Sequence, residues 1–207
     1  MATVNIDKKI TAWKLSVKLN ASPTFKDNHA IKRPQDLVCH IHQVKVKGES
    51  WTILIGLLNN RPYEMFGGLS KFVEIPKKCK LGTLTKNGKV DGVSTYNLTI
   101  GEGDDKMAIK DIVNVFDNPN YGSFTRMISL SLRHGTPVQY VVEQLQKDKY
   151  SDITSFSKVM ARVLKEYIQD GLVAAAGTSC PNCKVENTLV YQEGCLTCRD
   201  CGYSKCG

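Results

Sequence analysis

Long apolar runs are missing from this 207-residue chain: no stretch approaches the roughly 20 residues that cross a bilayer. The opening decapeptide, Met1-Ala-Thr-Val-Asn-Ile-Asp-Lys-Lys-Ile10, has no apolar h-region and no cleavage site. These absences predict a cytoplasmic protein without a membrane partner. No internal repeat or low-complexity tract occurs, so solenoids and disordered scaffolds are excluded. No constellation of nucleophile, base and oxyanion donor is visible. Gly101-Glu-Gly-Asp-Asp105 has glycines but lacks the strand–loop–helix setting and the lysine of a phosphate loop, and reads as an acidic turn. Aromatic residues are only 8% of the chain and are not interleaved with its lysines, as a single-strand nucleic-acid surface would need.

Charge is plentiful but unevenly placed. The formal net charge is +8; residues 1–90 carry 16 Lys/Arg against 6 Asp/Glu, and residues 91–207 carry 12 against 14. A basic half is either a solvated surface or a face for nucleic acid or an acidic protein. Residues 1–36 read as a basic arm ending at Arg33-Pro34, with one short strand around Trp13.

From residue 37 to 171 the pattern is that of one α+β domain. Ile41, Val44 and Val46 lead into the apolar strand Trp51–Leu58. Asn59-Asn60 is a hairpin turn, because asparagine tolerates positive φ, and Arg61–Phe66 returns before Gly67-Gly68. Lys71–Ile75 and Ser94–Ile100 read as further strands. Helical periodicity then predicts Met107–Phe116, a helix with Phe124, Met127, Ile128 and Ser131 on one face, and a stop at Gly135. His134 beside that stop reads as a helix cap. Thr136-Pro137-Val138-Gln139 resembles a capping box opening a helix through Leu145. Ser155–Gln169 is the clearest helix, closed by Gly171. Strands followed by helices predict an antiparallel sheet with helices packed on one face, followed by a small zinc ribbon. Glu64 reads as a strand-edge surface residue or, less simply, a buried functional carboxylate. Cys39, between His40 and His42, invites a metal reading but reads with Cys79 as a structural thiol.

The other six cysteines lie in the last 28 residues, as Cys180-x2-Cys183 and Cys195-x2-Cys198-x2-Cys201-x4-Cys206. A segment this short cannot fold on apolar burial alone. Zinc would supply the missing stability, on the order of 10–16 kcal/mol of apparent binding free energy. Two ligand sets fit. Cys180, Cys183, Cys198 and Cys201 form paired knuckles, with Gly202 free to turn amides toward sulfur; Cys195 and Cys206 are then spare. The alternative set, Cys180, Cys183, Cys195 and Cys198, leaves Cys201 and Cys206. A third reading is a purely structural ribbon with incidental extra cysteines. Leu172–Gly177 reads as a linker to this 172–207 segment.

Taken together, Ile128-Ser-Leu-Ser-Leu-Arg-His-Gly135, Pro137 through Val142-Glu-Gln-Leu145, Thr178-Ser-Cys-Pro-Asn-Cys183, Arg61–Phe66 and Gly194–Gly207 resemble the C-terminal, TSCPD-containing region of class II adenosylcobalamin-dependent ribonucleotide reductases. The resemblance spans about residues 30–207. One departure is Asn182, where the motif has Asp; it is expected to touch no ligand. The resemblance implies zinc on Cys180, Cys183, Cys198 and Cys201. It also implies a redox pair, Cys195 with Cys206 (or Cys201 with Cys206), that carries reducing equivalents from a thioredoxin-like donor to an active-site disulfide. The catalytic barrel of that family, with its adenosylcobalamin, is not in this sequence, which reads as a separately encoded subunit or an excised fragment; the expected partner is a catalytic chain, and no activity is expected alone. A zinc-ribbon module for docking protein or nucleic acid is the competing expectation.

Overall fold

Alternating burial along Asp36–Val46 and the nearly continuous burial of Glu49–Leu58 set the layers of this molecule. The computed structural model describes residues 29–116, 118–147, 152–174 and 177–206. The arm's Trp13 strand lies outside the described residues. Strands β1 (Asp36–Val46), β2 (Glu49–Leu58), β3 (Arg61–Leu69), β4 (Leu81–Val90), β5 (Val93–Ile100) and β6 (Met107–Ile109) form one antiparallel sheet, ordered β3-β2-β1-β4-β5-β6. Strand β2 lies between β3 and β1 and is covered on both faces, which is why Trp51–Leu58 reads as an apolar run rather than an alternation.

Asn59 and Asn60 adopt φ of 52° and 60° and close the β2–β3 hairpin as their chemistry predicts. One face of the sheet presents Trp51, Ile53, Ile55, Leu57 and Met65 to three helices, α2 (Pro119–Arg133), α3 (Val138–Gln146) and α4 (Phe156–Lys165). On the other face Cys39, Ile41, Leu54, Phe66, Leu84 and Leu98 meet the short helix α1 (Ile112–Val115) and the buried Val73 and Ile75. The sheet is therefore covered on its second face too, by less regular chain.

Helix α2 lies along the outer strand β3. The Ser129 hydroxyl accepts from the Met65 amide at 2.9 Å and donates to the Met65 carbonyl at 3.3 Å. It thus pairs backbone groups that an exposed edge would leave free. The N-terminal turn of α2 is capped by Asn118, whose side chain accepts from the Asn120 and Tyr121 amides.

Several local expectations give way. Met107–Ile109 pairs with β5 instead of joining a helix, because Asp111 turns the chain at φ 47° before α1 begins. Lys71–Ile75 forms a 3-10 turn, Ser70–Phe72, followed by unpaired chain that plugs the second face. Strand β4 carries few apolar residues and escapes the periodicity. Met127 is 63% exposed; Thr125, Ile128, Ser129 and Leu132 form the buried face of α2. No capping box forms at α3, where Pro137 itself occupies the cap and no side chain bonds the first turn. His134 does terminate α2, with Gly135 at φ 81°. Among the described residues no helix is long and apolar enough to cross a membrane.

Glu64 is fully buried rather than at a surface edge. Its carboxylate accepts from Arg33 at 2.6–3.1 Å and from Arg133 at 3.0 Å. Arg33 also donates to the Leu84 carbonyl, and the Tyr63 hydroxyl donates to the Ile31 carbonyl. The end of the arm is thereby strapped onto the sheet.

Candidate metal centre and thiol pair

The chain leaving α4 returns through β7 (Leu189–Gln192), β8 (Cys195–Cys198) and β9 (Ser204–Lys205), a three-stranded antiparallel sheet. Two turns, one before β7 and one between β8 and β9, carry matching hydrogen bonds. In the first, the Lys184 amide donates to the Cys180 carbonyl and the Cys180 amide to the Val185 carbonyl, at 2.9 and 3.0 Å. In the second, the Gly202 amide donates to Cys198 and the Cys198 amide to Tyr203, at 3.1 and 2.7 Å. Lys184 and Gly202 hold φ of 63° and 71°. The two CxxC segments are thus the same knuckle built twice.

Their four sulfurs converge. Cys180 and Cys201 Sγ are 3.6 Å apart, Cys183 and Cys198 Sγ are 3.7 Å apart, and all four lie within 4.8 Å of one another. A tetrahedral zinc–thiolate site, with Zn–S near 2.3 Å, spaces its sulfurs about 3.8 Å apart. The donor set and the spacing fit zinc. Surrounding dipoles favour the anionic form of two of the four, Cys198 and Cys201. The Thr188 hydroxyl lies 3.3 Å from Cys198 Sγ. That hydroxyl and the Cys201 and Asp200 amides bring the Cys198 thiol down to about 6. Cys201 is also lowered, first by the Asn182 side chain and then by the Tyr203 amide. Asn182 therefore does reach a ligand, contrary to expectation, and an amide N–H can donate to a thiolate where a carboxylate cannot. Cys183 rises to about 12 although the Val185 amide pulls it down, because desolvation and the neighbouring sulfurs resist a further negative charge.

Cys195 and Cys206 lie outside this cluster and form a disulfide. They extend the β8–β9 register, Leu196 opposite Lys205 and Thr197 opposite Ser204, by one more pair. Their Cα separation of 4.5 Å is that of a directly opposed, non-hydrogen-bonded pair. The disulfide ties the start of the central strand β8 to the residue after the outer strand β9, with Cys206 exposed. Cys201, the other expected partner for Cys206, belongs to the sulfur cluster instead.

The ribbon is not hung on a loose tether. The Gly171 amide donates to the Tyr191 carbonyl and the Tyr191 amide to the Leu172 carbonyl, each at 2.8 Å, and Val173 bridges to Val190. Tyr191 is buried in the helix-side core, with its hydroxyl donating to Glu143 at 3.4 Å, and Leu196 packs against the same cluster. Residues 172–174, expected as linker, are bridging chain; 175 and 176 lie outside the described residues. Neither Tyr191 nor Leu196 belongs to an apolar pattern long enough to flag it.

Cys39 is no metal ligand with its neighbours. It points to the second face of the sheet, where burial first and Glu64 second push its thiol well up. His40 and His42 point to the helix face, and Tyr167 joins them, its hydroxyl 2.9 Å from His40 Nδ1 and 2.7 Å from His42 Nε2.

Comparison with curated proteins and with solved structures gives no match. The family model described as the NrdJ homologue C-terminal domain matches residues 37–169, the sheet and the helices, and stops short of the cysteine ribbon. The chain belongs to that family, which relates it to the C-terminal region of class II ribonucleotide reductases.

Proposed function

We propose that the chain is the reductant-relay part of an adenosylcobalamin-dependent ribonucleotide reductase. In this reading it passes reducing equivalents from a thioredoxin-like donor to the active-site disulfide of a separate catalytic chain. The observation that carries the reading is the division of the six tail cysteines: four sulfurs within 4.8 Å of one another, and two joined to each other outside that cluster. Zinc on Cys180, Cys183, Cys198 and Cys201 would supply rigidity and no electrons, since it has no redox chemistry of its own.

The relay is then thiol–disulfide exchange. A donor dithiol attacks the Cys195–Cys206 bond, and a mixed disulfide forms as one tail thiol leaves. The donor's second thiolate resolves it, so the donor ends oxidised and both tail thiols reduced. The same two steps, with the tail dithiol as attacker, reduce the disulfide of the catalytic chain. Lys205 adjoins Cys206, and Lys205, Arg162 and Lys165 are close enough that their mutual repulsion, after desolvation, lowers Lys165. Cations at this edge favour the thiolate form. They also suit an acidic partner face.

The test counts zinc and reactive thiols in the purified chain, then exposes the oxidised protein to thioredoxin. One zinc, one disulfide reduced and a gain of two titratable thiols on reduction are expected; in Cys206→Ser no such disulfide forms and the reductant releases no further thiol. Six cysteines inert to the reductant would sink the relay and leave a structural docking ribbon.

A further inference from the structure

The tip of the β2–β3 hairpin, the turn between α2 and α3, and the chain leaving α4 close on a cleft of about 600 Å3. That size is ordinary for a small-molecule site, roughly 300–1,000 Å3. Leu58, Leu132, Val138 and Ile168 give it apolar walls, while Arg61 and Arg133 supply charge. No aspartate or glutamate is among its lining residues.

The charge of Arg133 is only partly met. Glu64 is shared: Arg33 bonds both carboxylate oxygens, and Arg133 reaches Oε2 alone, through Nη2. Two guanidiniums on one carboxylate leave one positive charge in surplus. Arg133 Nε is moreover buried with no acceptor among the protein's atoms. The guanidinium is held over the Tyr63 ring at 5.3 Å, which fixes its plane. Arg61 follows the two positive-φ asparagines directly, so the hairpin turn places it at the rim.

We propose that this cleft binds a small organic phosphate, its phosphate held between Arg61 and Arg133 and its apolar or aromatic body against Leu58, Leu132, Val138 and Ile168. Guanidinium forks match phosphate oxygens in geometry and in charge. The site is separate from the sulfur cluster and the disulfide, and it stands or falls independently of the relay.

Adenosine 5′-monophosphate, adenosine and inorganic phosphate are the probes, titrated into the full zinc-loaded, oxidised chain while amide resonances are followed. The monophosphate should shift residues 59–63 and 135–139 with a dissociation constant at or below about 1 mM. Inorganic phosphate should bind about tenfold more weakly or worse, and adenosine should leave these resonances unmoved. Arg61→Gln, at an exposed hairpin residue that leaves Glu64 fully paired, should weaken the monophosphate about tenfold. Absence of monophosphate binding in the cleft would overturn the proposal. So would equal binding of adenosine, equal binding of inorganic phosphate (an adventitious anion only), or an Arg61→Gln variant that binds unchanged.

Discussion

At the scale of single residues, His42 is the most pH-informative group in the sheet domain. Burial first, then His40 and Lys80, bring its imidazole from 6.5 down to about 4. Its neighbours are His40, the Tyr167 hydroxyl, and the Glu166 carboxylate 3.4 Å from Nδ1. With the folded value depressed, the unfolded chain binds more protons between about pH 4 and 6.5. The stability His42 contributes is therefore complete above pH 6.5 and is lost as pH falls through 4. Discounted for solvent screening, the loss across that window is about 2 kcal/mol. Urea unfolding at pH 7.5 and pH 4.5, for the wild type and His42→Gln, measures it. The substitution should flatten the difference between the two pH values, and an equal drop in both proteins would refute the assignment. The sequence shows His40 and His42 but not Tyr167 between them, because the three meet only across 125 residues of chain. The same holds for Glu64, whose arginines stand 31 and 69 positions away.

At the scale of elements, β3 and the chain entering α2 approach each other closely at Gly68. A methyl group on Gly68 would fall 2.7–2.9 Å from Phe116, within overlap distance of its Cβ and ring. Gly68→Ala should therefore destabilise by about 1–3 kcal/mol, seen as a lower urea midpoint at constant slope. Adding Phe116→Leu should recover part of that loss, and simple additivity of the two would mean the contact is not shared. Elements were legible where burial is one-sided or complete. Trp51–Leu58 and Phe156–Lys165 stand out because packing dictates nearly every residue. Strand β4 does not, since β1 and β5 hold it by backbone pairing while Leu81 and Val90 stay exposed. Cysteine spacing marked the tail as a metal site but left two ligand sets open, and the hydroxyl of Thr188 and the amide of Asn182 carry no pattern.

At the scale of the whole molecule, the two parts share one core. The ribbon's own buried set is Ala174, Cys180, Leu189 and Cys198, too small to hold without metal. Tyr191, by contrast, is built into the helix-side core of the sheet domain. Stripping the metal with a chelator under reducing conditions should unfold the ribbon and loosen that core. We expect the sheet domain to remain folded but to lose about 1–3 kcal/mol as Tyr191 and Leu196 become exposed. Urea titration with and without chelator reads this directly, and an unchanged midpoint would show the ribbon to be energetically separate. The strand-to-strand seam of residues 171–174 with 189–191 also bears on rates. A thiol pair on a leash meets its target at an effective concentration set by the leash, independent of dilution. A pair mounted on a fixed strand has no such reservoir. Each exchange at Cys195 and Cys206 is then a bimolecular encounter, so reduction should scale with partner concentration, saturate as docking fills, and slow as salt rises.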